Sequence, residues 1–266
     1  MRHINSLTNP TVKALRALHE RKYRRQSRLF LAEGMRIVME AIDLGWVPQH
    51  FVFLDGRQDD DLVAKLISAA ENMGAECLAV SHDVLAKISR KDNPQAVVAS
   101  FAEKWMPMDE VIKAQALWVA LDRVRDPGNL GTIMRSVDAV GGVGVILIGD
   151  CTDGFSVEAV RASMGACFNL SLAEATEEAF LDQVKNWQGE IIGTSLLASS
   201  DYRLANWTGP KILLMGNEQA GLTDALAAAA TQLIRMPMLG RSDSLNLAVA
   251  TGVALYEHLR HQHPPE

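Results

Sequence analysis

The stretch "LWVALDRVRDPGNLGTIMRSVDAVGGVGVILIG" (117–149) places two short apolar runs on either side of a segment with helical features. Residues 117–122 and 143–148 are bounded by turn residues, a pattern that predicts buried strands. Residues 129–140 predict a helix between them. A strand, a helix and a second strand require a crossover connection, so the stretch predicts a pair of parallel strands in an α/β fold.

The same alternation continues to the C-terminus. Strands separated by helices predict a mainly parallel sheet that is covered on both faces. Polar and glycine-rich turns follow several of these strands, and the carboxyl ends of strands are where open α/β sheets hold ligands. The further predicted elements are strands at 190–195, 211–215 and 233–236 and helices near 156–167, 176–187, 223–231 and 244–260.

The N-terminal part predicts a smaller α/β domain over residues 1–104. Residues 105–115 lack a clear period and contain Pro107, so they predict a linker to a larger domain over 116–266. The predicted elements of the smaller domain are helices at 9–25, 35–45 and 59–73 and strands at 28–34, 50–55, 76–81 and 96–101.

Composition narrows the class of protein. The chain has 266 residues, of which 48% are hydrophobic, enough for a packed core. Its longest apolar stretches, such as 142–149, fall short of the roughly 20 residues of a membrane span, and the N-terminus lacks the apolar middle region of a signal peptide. Cys77, Cys151 and Cys167 are scattered, which favours a reducing compartment. We expect a soluble, cytoplasmic protein.

Charge is distributed unevenly along the chain. Residues 1–36 contain nine arginines and lysines against two glutamates, although the whole chain has a net charge of −6. A basic segment on an acidic body predicts a region that meets phosphate. A solvated, arginine-rich helix face explains the same pattern equally well, so charge alone leaves both interpretations open.

Three common classes of site are disfavoured. The run "GGVG" (141–144) precedes a predicted strand instead of following one, and no G-x-G-x-x-G opens a helix, so a Rossmann dinucleotide site is not predicted. There is also no P-loop lysine. Cys151 and Cys167 lack paired spacing, and the histidines of residues 258–263 lie at the end of the chain. No metal site is expected.

Three segments stand out in order along the larger domain: "DPGNLGTIMR" (126–135), "MGNEQAGL" (215–222) and "SLNLAVATGVALYE" (244–257). Taken together, they resemble the signature motifs of the SpoU (TrmH-type) RNA 2′-O-methyltransferases. The resemblance implies a SPOUT-type α/β domain with a trefoil knot that binds S-adenosylmethionine, and a homodimer with its site at the subunit interface. "RLFLAEGMRIVMEAI" (28–42) resembles part of the ribosomal-protein-like substrate-binding domain that many members carry.

The resemblance also implies roles for individual residues. The implied catalytic set is Arg135, Asn129, Glu218, Ser244 and Asn246, and the implied cofactor-binding set is Thr194, Ser195, Gly216, Met236 and Leu245. Purely structural roles are open for several of them. Arg135 could pair with Asp138 on the helix surface, Asn129 could be an N-cap and Ser244 or Asp243 could cap the last helix, and Met236 and Leu245 could be core residues.

The chemistry of a 2′-hydroxyl constrains the role of the arginine. This hydroxyl is weakly acidic, so an enzyme must remove its proton or stabilise the oxyanion as it forms. A guanidinium is a poor base, because its pKa exceeds about 12. Arg135 could accept the proton when a nearby RNA phosphate biases it, or act as a fixed cation beside the developing alkoxide. We favour the fixed cation, and neither route requires a metal.

The N-terminal domain bears on the RNA substrate. A separate domain of this size resembles those of members that act on large-subunit (23S) ribosomal RNA, whereas the transfer-RNA enzymes tend to have short extensions. A tRNA 2′-O-methyltransferase and a non-catalytic RNA-binding protein of the same fold remain alternatives, and the basic segment disfavours a small-molecule methyltransferase. Gln219 departs from the commoner small or acidic residue of the motif. The expected phosphate contacts are Lys22, Arg24, Arg25, Arg28 and Arg36.

Overall fold

The computed structural model describes residues 1–263, and they divide into two compact units. Unit 1 comprises Met1–Glu103 and Phe155–Asn169, and unit 2 comprises Lys104–Gly154 together with the chain from Leu170 onward. The chain therefore passes from one unit to the other at three places. The helix predicted within 156–167 is thus part of the N-terminal unit, although its sequence lies between two strands of the larger sheet.

The helices and strands alternate along most of the chain. The strands are β1 (Arg2–Ile4), β2 (Leu29–Glu33), β3 (Pro48–Leu54), β4 (Glu76–Val80), β5 (Val97–Ala102), β6 (Leu117–Asp122), β7 (Gly144–Ile148), β8 (Ser171–Ala175), β9 (Glu190–Thr194), β10 (Ser200–Asp201), β11 (Lys211–Met215) and β12 (Gln232–Arg235). The helices are α1 (Pro10–Ala17), α2 (Arg21–Ser27), α3 (Met35–Asp43), α4 (Asp61–Asn72), α5 (His82–Ser89), α6 (Met108–Lys113), α7 (Pro127–Ala139), α8 (Val157–Ala162), α9 (Glu177–Gln183), α10 (Asp224–Ala229) and α11 (Leu247–Gln262). Over residues 1–263, each helix is too short or too polar to cross a bilayer.

Unit 1 is built on a mixed five-stranded sheet in the order β1-β4-β3-β5-β2. The pairs β1–β4 and β4–β3 are parallel, whereas β5 runs antiparallel to both β3 and β2. The smaller α/β domain predicted at the N-terminus is therefore present. The sequence did not predict β1, which has three residues and lies at the sheet edge, or α5, which begins after the N-cap Ser81.

The single helix predicted over 9–25 is wrong, because the structure has two helices there, α1 and α2. Asn9 caps α1, as expected, and its side chain accepts from the backbone N–H of Thr11. The break lies at residues 18–20, where Glu20 is extended. Side chains stabilise it: Arg24 Nη1 donates to the Leu18 carbonyl at 2.7 Å, and a hydrogen bond of 2.8 Å joins the His19 ring to the Ile88 carbonyl.

Unit 2 contains a seven-stranded sheet in the order β10-β12-β9-β11-β6-β7-β8, and every neighbouring pair is parallel. The predicted parallel α/β sheet is confirmed. The sequence missed the edge strands β8 and β10, whose five and two residues alternate weakly and carry little signal. The trefoil knot implied by the family resemblance stays a prediction.

Helices cover both faces of this sheet. On one face α6, α9 and α10 enclose a core that contains the fully buried Trp118, Phe180 and Leu226. Val111 and Ile112 of α6 belong to that core, so the segment predicted as a linker contains a packed helix. Elsewhere in the unit α7 packs against α11. These two helices begin at the carboxyl edge of the sheet.

The segment 155–169 joins unit 1 through an aromatic cluster. Phe155 lies 4.6 Å from Phe30, and Phe168 lies 5.1 Å from Trp46 in an edge-to-face arrangement, both measured between ring centroids. Trp46 Nε1 also donates to the Phe168 carbonyl at 2.8 Å. Such buried aromatic contacts are worth more than their area alone, which explains why this segment packs with the N-terminal residues.

We predict that Gly144→Ala destabilises unit 2. A Cβ at residue 144 would lie 2.1 Å from the Ser171 carbonyl oxygen and 2.5 Å from the Trp118 ring, so β7 could not keep its place between β6 and β8. Overpacking of this kind costs about 3 kcal/mol, measured as the free energy of unfolding in urea. Gly240→Ala is the control, because nothing lies near its Cβ position. Equal unfolding midpoints for both variants would contradict this account.

Candidate active site

Four loops leave neighbouring strands at the carboxyl edge of the unit 2 sheet. They follow β12, β9, β11 and β6, which are adjacent in that order. Hydrogen bonds tie the strand ends together: the Ser195 N–H donates to the Ile234 carbonyl at 2.9 Å, and Thr194 Oγ1 donates to Met215 Sδ at 3.7 Å. The residues with implied catalytic and cofactor roles are carried by these loops and by the two helices, α7 and α11, that follow them.

Asn129 lies in the first turn of α7, and its side chain is available for contacts across the site. The N-cap of α7 is Asp126, whose Oδ1 accepts from the Asn129 N–H at 2.6 Å, with Pro127 as the first helical residue. The structural alternative of Asn129 as the N-cap is therefore wrong. Its Nδ2 instead donates to Glu218 Oε1 at 3.2 Å. Asn129 thus links α7 to the loop after β11.

Asn246 caps α11 and contacts Asn129 with the same side chain. Its Oδ1 accepts from the backbone N–H groups of Ala248 and Val249 at 3.0 and 3.3 Å, while its Nδ2 donates to Asn129 Oδ1 at 3.0 Å. The structural alternative, in which Ser244 or Asp243 caps this helix, is therefore wrong. A continuous chain of hydrogen bonds, which we call the amide relay, therefore runs from Asn246 through Asn129 to Glu218.

Ser244 and Arg135 lie outside the amide relay. Ser244 is exposed, and its Oγ lies 3.4 Å from Asp243 Oδ1. Arg135 is exposed on α7, about 9 Å further along the helix axis than Asn129. Among residues 1–263, no hydrogen bond or ion pair engages its guanidinium, so the surface pair with Asp138 does not form. Its charge is thus available to a ligand.

The implied cofactor residues surround the same strand ends. Thr194 and Ser195 end β9 and are partly buried, and Met236, also partly buried, follows β12. Leu245 is 40% exposed, so it is not a core residue. At Gly216 a Cβ would lie 2.4 Å from backbone atoms of Gly221 and Leu222. Only glycine lets the loop 216–222 fold back so closely.

Two residues that the sequence analysis did not single out support this edge of the sheet. Arg123 follows β6 and donates from Nε and Nη2 to its neighbour Asp122, each at 2.8 Å. These bonds raise the pKa of Arg123 above its ordinary value. Asn217 follows Gly216, and its Nδ2 donates to the Arg123 carbonyl at 2.9 Å. An asparagine directly after a strand-terminating glycine is a turn signal that could have identified it.

The residues expected to contact RNA are not placed alike. Lys22, Arg25 and Arg28 are exposed on or beside α2, and Arg36 is exposed on α3. Arg24 is buried, and its guanidinium donates to a backbone carbonyl of unit 1. This placement does not favour a direct phosphate contact by Arg24. A stabilising role at the break between α1 and α2 accounts for it.

Thiol and metal chemistry find little support in the described part of the chain. The three cysteines are free and buried, and burial raises the pKa of the Cys151 thiol to about 11. A thiol with such a pKa is protonated near neutrality and is a weak nucleophile. Residues 1–263 contain no group of three or more His, Cys, Asp or Glu side chains arranged to hold a metal ion.

Comparison with known proteins identifies the family. Residues 116–256, just over half of the chain, match the model of the SpoU rRNA Methylase family, and residues 9–99 match an MRM3-like substrate binding domain. The chain belongs to the SpoU rRNA methylase family. The resemblance found in the three motifs is thereby confirmed. The 23S rRNA (guanosine(2553)-2′-O)-methyltransferase RlmP of Bacillus subtilis is 30% identical over 262 residues, which cover 98% of this chain and 100% of RlmP.

Solved structures of two methyltransferases agree with this fold over nearly the whole chain. An AdoMet-bound rRNA methyltransferase from Sinorhizobium meliloti is 44% identical, covers 97% of this chain and 97% of its own, and superposes with a TM-score of 0.90. The SpoU methyltransferase AviRb from Streptomyces viridochromogenes, also bound to AdoMet, is 27% identical, covers 97% and 100% of the two chains, and has a TM-score of 0.86. Both the sheet of unit 2 and the N-terminal unit thus have counterparts in these relatives.

We predict that Asn129→Ala slows methyl transfer without unfolding the protein. The change removes the middle of the amide relay, so Glu218 and Asn246 lose their common partner. Misplacement of such groups costs about 100-fold in rate, whereas the loss of two hydrogen bonds from a partly buried side chain costs about 2 kcal/mol of stability or less. Thr132→Ala, one turn later on α7, is the matched control, because within residues 1–263 the Thr132 hydroxyl bonds only the Gly128 carbonyl. Equal single-turnover rates for the two variants would refute a role for the relay.

Proposed function

We propose that this chain transfers a methyl group from S-adenosylmethionine to a ribose 2′-hydroxyl of 23S ribosomal RNA. The observation that carries the proposal is the amide relay, which joins the three SpoU motifs at one sheet edge beside an arginine with no partner among the described residues. The relatives with named substrates support the RNA class, since RlmP acts on 23S rRNA and matches this chain over nearly its whole length.

The residues at the sheet edge fit the proposed cofactor. The loops after β9, β11 and β12 offer backbone donors and acceptors for an adenine ring, and the partly exposed Leu245 and Met236 offer apolar surface to cover it. When bound, S-adenosylmethionine supplies a methyl group on a positively charged sulfur. The carboxylate of Glu218, held by Asn129, contributes a complementary negative charge at the same edge.

Arg135 acts in this proposal as a fixed cation. A guanidinium stays protonated at neutral pH and cannot readily accept a proton, but it stabilises an oxyanion that develops within hydrogen-bond distance. The side chain is exposed and makes no ion pair with another residue in 1–263, so an entering ribose or phosphate does not have to displace a protein partner. Ser244 offers a hydroxyl two residues before Asn246, the N-cap of α11.

The 23S substrate is favoured over tRNA because the similarity includes the substrate-binding unit. The match to an MRM3-like substrate binding domain covers residues 9–99, and the alignment with RlmP covers 98% of this chain. Exposed Lys22, Arg25, Arg28 and Arg36 supply positive charge there for phosphate contacts. A tRNA substrate remains the alternative.

We also propose that the enzyme is a cytoplasmic homodimer. Helix α11 exposes Val249 and Tyr256, which are 53% and 56% accessible and two turns apart, on either side of the partly exposed Gly252 and Val253. An apolar stripe with this spacing on one helix face is suited to pack against a second copy. The three free, buried cysteines are compatible with a reducing compartment.

Mapping of 2′-O-methyl groups tests the substrate. We expect 23S rRNA from cells lacking the gene to have lost one ribose methyl, because the enzyme proposed to add it is absent. Returning the natural gene restores the methyl. A control gene carrying Arg203→Ala, which changes an exposed arginine paired with Asp201, restores it as well. Arg135→Ala does not restore it. Unchanged 23S rRNA together with an undermethylated tRNA would show that the substrate is tRNA. Full rescue by Arg135→Ala would exclude a catalytic role for this residue.

Salt dependence tests the RNA-binding surface of unit 1. Lys22→Gln combined with Arg28→Gln removes two exposed positive charges, so the slope of log affinity against log salt for an rRNA fragment decreases by about 1 to 2. Fluorescence anisotropy at several salt concentrations measures it. Lys113→Gln with Lys185→Gln removes the same charge from exposed sites on unit 2 and serves as the control. Equal slopes for the two double variants would show that α2 does not contact phosphate.

A further inference from the structure

Arg123 has a backbone conformation that is costly for its residue type. Its φ is +51°, in the left-handed region, which is unfavourable for any residue that has a Cβ. Glycine or asparagine would occupy this position at lower cost. The backbone groups are fixed as well, because the Arg123 N–H donates to the Ile148 carbonyl at 3.0 Å. The arginine side chain must therefore supply compensating interactions.

The guanidinium of Arg123 bridges two loops. Besides its two bonds to Asp122, its Nη2 donates to the Gly221 carbonyl at 3.2 Å. Asp122 is almost fully buried at the end of β6, where an unpaired carboxylate would be strongly destabilising. One side chain thus neutralises a buried charge at the end of β6 and holds the far end of the loop after β11.

Asn217 completes the bridge from the opposite side. Its Nδ2 donates to the Arg123 carbonyl, and its Oδ1 accepts from the N–H groups of Gln219 and Ala220 at 3.0 Å each. The backbones of Asn217 and Gly221 exchange two further hydrogen bonds, at 3.1 and 2.9 Å. Both ends of the loop are therefore fixed to Arg123, one through its side chain and one through its carbonyl.

We propose that Arg123 and Asn217 form a positioning clamp that holds the loop 216–222 in its ligand-binding conformation. Glu218 lies between Asn217 and Gly221, the two loop residues that the clamp holds, and its carboxylate accepts the Asn129 hydrogen bond of the amide relay. The clamp acts through Glu218 and the loop backbone and does not touch the reacting atoms. This inference rests on the proposed function for its ligand, S-adenosylmethionine, but the ordering of the loop is independent of that ligand.

Arg123→Lys tests the clamp in the full-length protein. Lysine keeps a positive charge beside Asp122 but lacks the planar fork that reaches Asp122 and Gly221 together. We expect the dissociation constant for S-adenosylmethionine, measured by calorimetry, to rise about 10-fold. Without ligand, we expect amide hydrogen exchange in 216–222 to accelerate, while the urea midpoint stays close to that of the natural protein.

The matched control is Arg203→Lys. Arg203 pairs with Asp201 through the same two atoms, Nε and Nη2, at 2.8 and 2.6 Å, but its guanidinium bridges no loop of the site. This variant should leave both the dissociation constant and the exchange of 216–222 unchanged. Asn217→Ala removes the hydrogen bond from Asn217 to the Arg123 carbonyl, the other half of the clamp. The double variant Arg123→Lys/Asn217→Ala should lose less affinity than the two single variants combined, because both substitutions disrupt the same clamp.

Three outcomes would overturn the clamp. They are unchanged exchange in 216–222 for Arg123→Lys, additive effects of the two clamp substitutions, and a loss of protection spread evenly over the whole protein, which would indicate a purely structural arginine. Failure of the natural protein to bind S-adenosylmethionine would instead refute the proposed function. The exchange measurement distinguishes the two failures, because it needs no ligand.

Discussion

The parallel pairing of β11 with β6 on one side and β9 on the other is the constraint on which the candidate site depends. Because these strands run in the same direction, their loops emerge at one edge of the sheet. Hydrogen bonds within a loop can order that loop but cannot place it relative to the next one. The amide relay and the Arg123–Asn217 clamp exist only because β6 and β11 are neighbours, since both join residues that are about 90 or more positions apart in the chain.

The amide relay also shows how helix capping and site geometry are combined. Asn246 satisfies two backbone donors at the start of α11 with its oxygen and reaches Asn129 with its nitrogen. An asparagine can do both because its amide carries an acceptor and donors at opposite corners. Aspartate would cap equally well but could not donate to Asn129. The residue type at this position is therefore set by the relay and not by the cap.

Periodicity and turn signals were sufficient for the long, strongly patterned elements of this chain, such as β6, β7, β11 and α11. They failed at short edge strands and at the break between α1 and α2, where a long-range bond from His19 and a buried Arg24 decide the conformation. The motifs indicated Asn129, Glu218 and Asn246 before any geometry was known. Arg123 and Asn217 could not be found in that way, because they act through a contact between distant segments of the chain and not through a local sequence pattern.

The aromatic cluster around Phe30 has a consequence for how the chain is made. Two of its rings, Phe155 and Phe168, belong to a segment synthesised some fifty residues after the last strand of unit 1. On the ribosome the N-terminal unit thus cannot complete its core until residue 169 has left the exit tunnel, when much of the larger sheet is still missing.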